Sequence, residues 1–253
     1  MSLRAFSRWQ AAGTHFLICV FIAAVVVSVM LGVWYPGPLF EAAGGSGLLY
    51  ILVGVDVTLG PLLTLIVFKS GKPGMKFDLT VIGLVQVAAL VYGVYVVSVA
   101  RPAFMVFVKD RFELATVVDL DSAELAAAKY PEFRKPGWGG PVLAATDMPT
   151  DPKERAKVID AALAGLDLHN FPRYYVPYAL RTKEVLDKAL TVARLRSAEP
   201  VTAKAVDAYL ASSGTKEADV RVLMLRTRFA WLAVLIDPKT AQPGKMLLGE
   251  KIE

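Results

Sequence analysis

Cysteine and histidine are nearly missing from this chain: 253 residues hold one cysteine, Cys19, and two histidines, His15 and His169. A lone cysteine closes no intrachain disulfide and founds no cysteine-built metal site. Neither histidine stands at metal-ligand spacing from the other, and neither belongs to a Ser/His/Asp signature. His15 is expected at a membrane interface and His169 on the surface or in a core. No glycine-rich nucleotide loop, internal repeat or low-complexity tract is present, so no cofactor is expected. Charge is scarce at the start: residues 1–100 carry five of the 28 Lys/Arg and three of the 23 Asp/Glu. In the remainder the signs are interspersed. A basic stripe of the kind that binds nucleic acid is absent.

Apolar residues make up 55% of the chain, too many for an ordinary soluble domain, and they concentrate before Arg101-Pro102. Spanning a bilayer takes about 20 apolar residues per helix. Three stretches qualify: residues 16–34, 48–68 and 79–99. The first could also be a cleavable signal peptide. Its apolar run is too long for that, and no small-x-small cleavage site follows, so a retained anchor is favoured. Short-loop basic residues set the orientation. Arg4 and Arg8 precede the first span and Lys69, Lys72 and Lys76 separate the second from the third, whereas the loop between the first two has only Glu41. The N-terminus is thus expected in the cytoplasm and residues 101–253 on the far side. The division expected is a membrane domain, 1–100, and an extramembrane domain, 101–253.

In the second part AFMVFV (103–108) and RFELATVV read as strands turned by Lys109-Asp110. A helix is expected over 122–129, a loop over 131–141, and a short strand over 141–146. DPKERAKVIDAALAGL (151–166) carries strong helix signals: Asp151 to cap, Pro152 in the first turn, and Val158, Ile159, Ala162, Leu163 and Leu166 on one face. Helices near 179–190 and 202–212 follow, then a hairpin over 220–226 and 229–236, with KMLL as a further strand. Strands first, helices in the middle and strands last predict an α+β domain with an antiparallel sheet. The hairpin is expected to be covered on both faces rather than to offer an edge to another chain.

Four places could carry function. The loop WYPGPLFEAAGGSG joins Trp34, Tyr35, Pro36, Pro38, Leu39, Phe40 and Glu41; it reads as a tight reversal on the headgroups or as a stiff surface that docks a partner. Asp119-Leu-Asp121 matches a metal–nucleotide pattern of some sugar transferases, but helix capping is the commoner use. The aromatic run Phe171, Tyr174, Tyr175, Tyr178 reads as a loop plugging the sheet or as a sugar or peptide platform. Within the second span, Asp56 is a carboxylate in an apolar run. Such groups face protein or water and mark function, or make structural contacts between spans. At about 1.5 Å per residue, Ser28 and Tyr92 fall at its depth. Gly60 leaves a notch one turn away. Pro61 frees the carbonyl of Val57, which Gln86 could satisfy.

WYPGPLFEAAGG, then GVDVTLGPLLTLIVF, then KSGKPGMKFDL resembles the TfpX/TfpZ family of type IV pilin accessory proteins. The likeness is close over residues 34–79. Shorter likenesses lie at RAFSRWQAAGTH, at the ARP junction and at WLAVLIDPKTAQP. The resemblance implies a multi-pass protein of the bacterial inner membrane, in contact with its lipid, with a periplasmic domain. It also implies a non-enzymatic, chaperone-like role for a type IV pilin subunit, itself one membrane helix with a head outside. Two alternatives are a membrane-bound transferase modifying pilin with a lipid-linked sugar and a sensor signalling inward; the short cytoplasmic loops leave little for the sensor to signal with.

Overall fold

The computed structural model describes residues 7–252; Arg4 lies outside them. Three helices are long and apolar enough to cross a membrane. The first, α1, runs Arg8–Val29 and continues as a π-helical turn over Met30–Trp34. It starts earlier than the apolar run because Ser7 and Gln10 form a reciprocal capping box, at 3.2 and 3.0 Å. After the short helix α2, Leu39–Ala42, come α3, Gly45–Val67, and α4, Met75–Ala100. The chain divides into two compact units. The first ends at Gly32 and resumes over Gly45–Val99; the second takes Val33–Gly44 together with everything from Ala100 onward.

The second unit is built on seven strands: β1 Pro102–Val108, β2 Arg111–Thr116, β3 Val142–Thr146, β4 Tyr175–Pro177, β5 Arg221–Arg226, β6 Ala230–Ile236 and β7 Pro243–Lys251. Their order is β4-β3-β1-β2-β5-β6-β7. The expected antiparallel sheet is corrected here to a mixed one: β1 runs parallel to β3 and β2 parallel to β5. The reason is connection length. Lys109-Asp110 closes a hairpin, but the chain from Thr116 to Val142 is long enough to pass β1 and set β3 on its far side, parallel to it, and the chain from Pro177 to Arg221 is long enough to cross the sheet and lay β5 parallel to β2. The hairpin β5–β6 is interior, and the edges are β4 and β7.

Every residue of β1 is buried, since both faces of the sheet are covered. Met105, Phe107, Phe112, Leu225, Leu232 and Val234 point to one face. Phe104, Val106, Ala115 and Ala144 point to the other, under Phe133, Val158 and Leu168. Helices α8, Val192–Ala198, and α9, Pro200–Ser213, cover Val222, Ala233 and Leu235. Between β2 and β4 lie α5, Ser122–Ala126, and α6, Pro152–Leu163; α7 spans Thr182–Lys188. The sequence pattern left α8 unassigned, and the residues of β4 read as part of a loop. It also overstated the core face of α6: Val158 is buried, whereas Ile159 and Leu166 are exposed and Leu163 is 85% exposed.

One cover of the first face comes from between the first two membrane-length helices. Leu39 and Ala42 of α2 are fully buried in the Phe107–Phe112 cluster. Two bonds hold them, with the Thr227 hydroxyl and the Phe229 N–H both donating to the Ala42 carbonyl, at 2.7 and 3.2 Å. Gly44 has φ +80° and the Phe229 ring sits where its β-carbon would be, so glycine is required there twice over. Trp34 packs edge-to-face on Trp138 at 5.6 Å, and Tyr35 on Phe40 at 6.2 Å.

Candidate functional site

The membrane-length helices carry the densest group of polar side chains in apolar surroundings. Asp56, Gly60 and Thr64 recur every fourth residue and so share one face of α3. The His15 imidazole Nδ1 lies 2.6 Å from the Thr64 hydroxyl, joining α1 to α3. From α4, the Gln86 amide nitrogen donates to the Asp56 carbonyl at 3.2 Å and reaches the Cys19 sulfur at 3.8 Å. That amide fills the notch at Gly60, where any β-carbon would collide with it; Leu52 occupies Gly93 in the same way. A cavity of about 240 Å³ beside this contact is walled by His15, Cys19, Asp56 and Gln86 among apolar residues. A second, of about 270 Å³, shares Leu52 and Asp56 with it and includes Tyr92.

Sequence reasoning brought Asp56, Gly60 and Gln86 together but not in this detail. Gln86 bonds the carbonyl of Asp56, not that of Val57. Ser28 donates to Ala24 of its own helix at 2.8 Å and does not reach Asp56. Tyr92 lines the second cavity with Asp56 and makes no bond to it; Pro61 is buried. His15, Cys19 and Thr64 were missed, although the four-residue spacing from Asp56 to Thr64 was a readable signal. His15 lies inside α1, in its third turn. Arg8, Lys69, Lys72 and Lys76 are exposed, and Lys72 pairs with Asp78 at 2.7 Å.

The loop candidates are largely occupied by their own domain. Trp34, Tyr35 and Leu39 are buried, Pro36, Pro38 and Phe40 are half-buried, and Glu41 is exposed, 3.9 Å from Lys251. Burial pushes the Tyr35 hydroxyl up to about 12 against the opposing pull of Arg101. In the Asp119/Asp121 pair, Asp121 caps α5 through the Ala123 N–H at 2.6 Å and Asp119 accepts from the Thr116 N–H at 3.0 Å. Tyr175 and Tyr178 are both buried, each on a different face of the sheet.

His169 is expected to give the second unit a pH response. Among the described residues its Nδ1 is buried with no hydrogen-bond partner. Burial holds the imidazole below its ordinary value, with Glu113, Asp167 and Asp119 pulling weakly the other way. The unfolded chain therefore binds this proton more readily than the folded one. Stability is full above about pH 6.5 and is lost as pH falls through the folded value. Denaturation of the full chain in detergent is expected to show lower stability at pH 5.5 than at pH 7.5. His169→Gln should flatten that difference; an unchanged slope would remove His169 as its source.

The FimB fimbrial assembly protein family matches residues 3–44. Three relatives from Dichelobacter nodosus are similar over longer stretches. The fimbrial assembly protein of serogroup I is 32% identical over 188 residues, 73% of this chain and 72% of the relative. That of serogroup E1 is 30% identical over 187 residues, with the same coverage. That of serogroups C1 and C2 is 34% identical over 121 residues, 47% of this chain and 92% of the relative. No solved structure matches the chain. The match to the serogroup I protein is longer than either compact unit and so draws on both, and on that similarity the chain belongs to the fimbrial assembly protein family.

Proposed function

We propose that this chain is a non-enzymatic accessory factor of the bacterial inner membrane that supports the stability or assembly of one cognate type IV pilin. The observation that carries the reading is the similarity to fimbrial assembly proteins over more than either unit alone. The TfpX/TfpZ resemblance of residues 34–79 points the same way. The composition of the chain suits such a role: three membrane-length helices and a separate folded domain have their counterparts in a subunit with one membrane helix and a head outside. The domain from Ala100 onward is assigned to the periplasm, with the N-terminus in the cytoplasm.

Deleting the gene in a cell that makes these fimbriae is expected to lower the amount or the assembly of the cognate pilin severalfold while its messenger RNA stays unchanged. Immunoblots of pilin and counts of surface fimbriae read this. Normal values for both would remove the proposal. A changed pilin mass with normal assembly would favour a transferase instead.

A further inference from the structure

We infer that the cavities flanking Asp56, between α4 and the α1–α3 pair, seat the side chains of one membrane-spanning helix from another polypeptide, and that this helix presents a hydrogen-bond donor at the level of Asp56. The inference deepens the pilin reading above and rests on it only for the identity of the partner.

The first observation is an excess of acceptors. Among the described residues the Asp56 carboxyl has no hydrogen-bond or ion-pair partner; only its backbone carbonyl is bonded, by Gln86. The Gln86 amide is oriented by chemistry, since only its NH₂ can donate to that carbonyl. Its Oε1 is then buried with no donor. The chain's own donors do not repair this among the described residues: His15 is engaged with Thr64, Ser28 with Ala24, and Tyr92, which lines the second cavity, makes no bond to Asp56. In hydrocarbon an unsatisfied polar group is expensive, and an intramembrane carboxylate points to a partner.

The second observation is room. Cavities of about 240 and 270 Å³ meet at Asp56 and Leu52. They are too small for a helix and suited to its inserted side chains. Ala23 and Gly83 line the first, and Gly83 has open space where a β-carbon would go, which allows a second backbone to come close. A lipid chain would fill the volume but offers no donor. A helix bearing a hydroxyl, an amide or a cation fills it and satisfies the acceptors.

The test places a photoreactive side chain at Val87, which lines the first cavity, or at Val85, which is exposed and lines neither. Both are illuminated in intact membranes of fimbriated cells. A crosslink to a single-span polypeptide from position 87 and not from 85 is expected. Its yield should fall roughly 3- to 30-fold in Asp56→Leu, the range for interhelical hydrogen bonds in a bilayer. Retention in Asp56→Asn identifies a neutral donor and loss in both variants a cation; either supports the inference. Lipid adducts alone, a second copy of this chain alone, or an undiminished yield in Asp56→Leu would overturn it. If Asp56→Leu fails to accumulate, the contrast between positions 87 and 85 decides. Capture of a single-span protein other than pilin supports the helix seat and refutes the pilin reading. Lipid-only adducts in a strain whose pilin falls on deletion do the reverse.

Discussion

Replacing Leu39 by alanine is expected to destabilise the second unit, the one built on the seven-stranded sheet, by about 2–5 kcal/mol. The residue sits on a four-residue helix more than sixty positions ahead of β1, in a segment that reads as a loop. Its side chain is nonetheless fully buried among Phe107, Phe112 and Leu232. Truncation removes apolar contact and leaves a cavity that bonds from Thr227 and Phe229 to the Ala42 carbonyl keep from collapsing. Glu41, exposed on the same helix, is the control: Glu41→Ala should stay within about 0.5 kcal/mol. Denaturant titration of the full chain in detergent measures both. Equal, small effects would mean that α2 is no part of this core. Failed fimbrial assembly in Leu39→Ala at unchanged stability would return the segment to the role of a docking surface.

How far the sequence could be read differs from element to element. The membrane-length helices are legible because hydrocarbon imposes composition over about 20 residues, a signal local to each segment. Strands β1, β2, β5 and β6 are legible as apolar β-rich runs. Their partners are not, since side-chain periodicity says which face a residue takes and not which strand lies beside it. The long connections after Thr116 and Pro177 carry β3 to the far side of β1 and β5 to the far side of β2, and the parallel pairings follow from that placement. The face of α6 was misread because an amphipathic pattern tells what a helix could bury, whereas Leu163 remains exposed. The loop at 34–44 was misread for the opposite reason. Its aromatics and Leu39 fit a membrane interface as well as a core, and the Thr227 and Phe229 bonds that decide between them come from about 185 residues further on. At the candidate site, Asp56 stood out by the expense of its charge in an apolar run, whereas His15 and Thr64 look like ordinary interface and helix residues until α1 and α3 are packed.

A reporter that works only outside the cytoplasm is expected to be active when fused at Lys153 and silent at Lys72, an all-or-none contrast. Two independent lines lead to it. One is charge: Arg8 lies before the first span and Lys69, Lys72 and Lys76 after the second, whereas residues 35–47 hold no lysine or arginine. The other is the fold of the second unit. Val33–Gly44 and the chain from Ala100 onward share one core, and a domain core does not straddle a bilayer. Both parts must lie on one side, so the chain over 45–99 crosses an even number of times. Helices α3 and α4 are two segments of the length and composition required. The turn at Lys69–Lys76 is then on the opposite side from the domain, whatever the fate of α1. Activity at Lys72 with silence at Lys153 would reverse the charge argument and leave the core argument intact. Equal signals at the two positions would break the core argument itself, and with it the assignment of α3 and α4 as a pair of crossings. Only the expected result puts the domain on the side where an anchored fimbrial subunit would hold its head, while the acceptors at Asp56 and Gln86 stay within reach of that subunit's membrane helix.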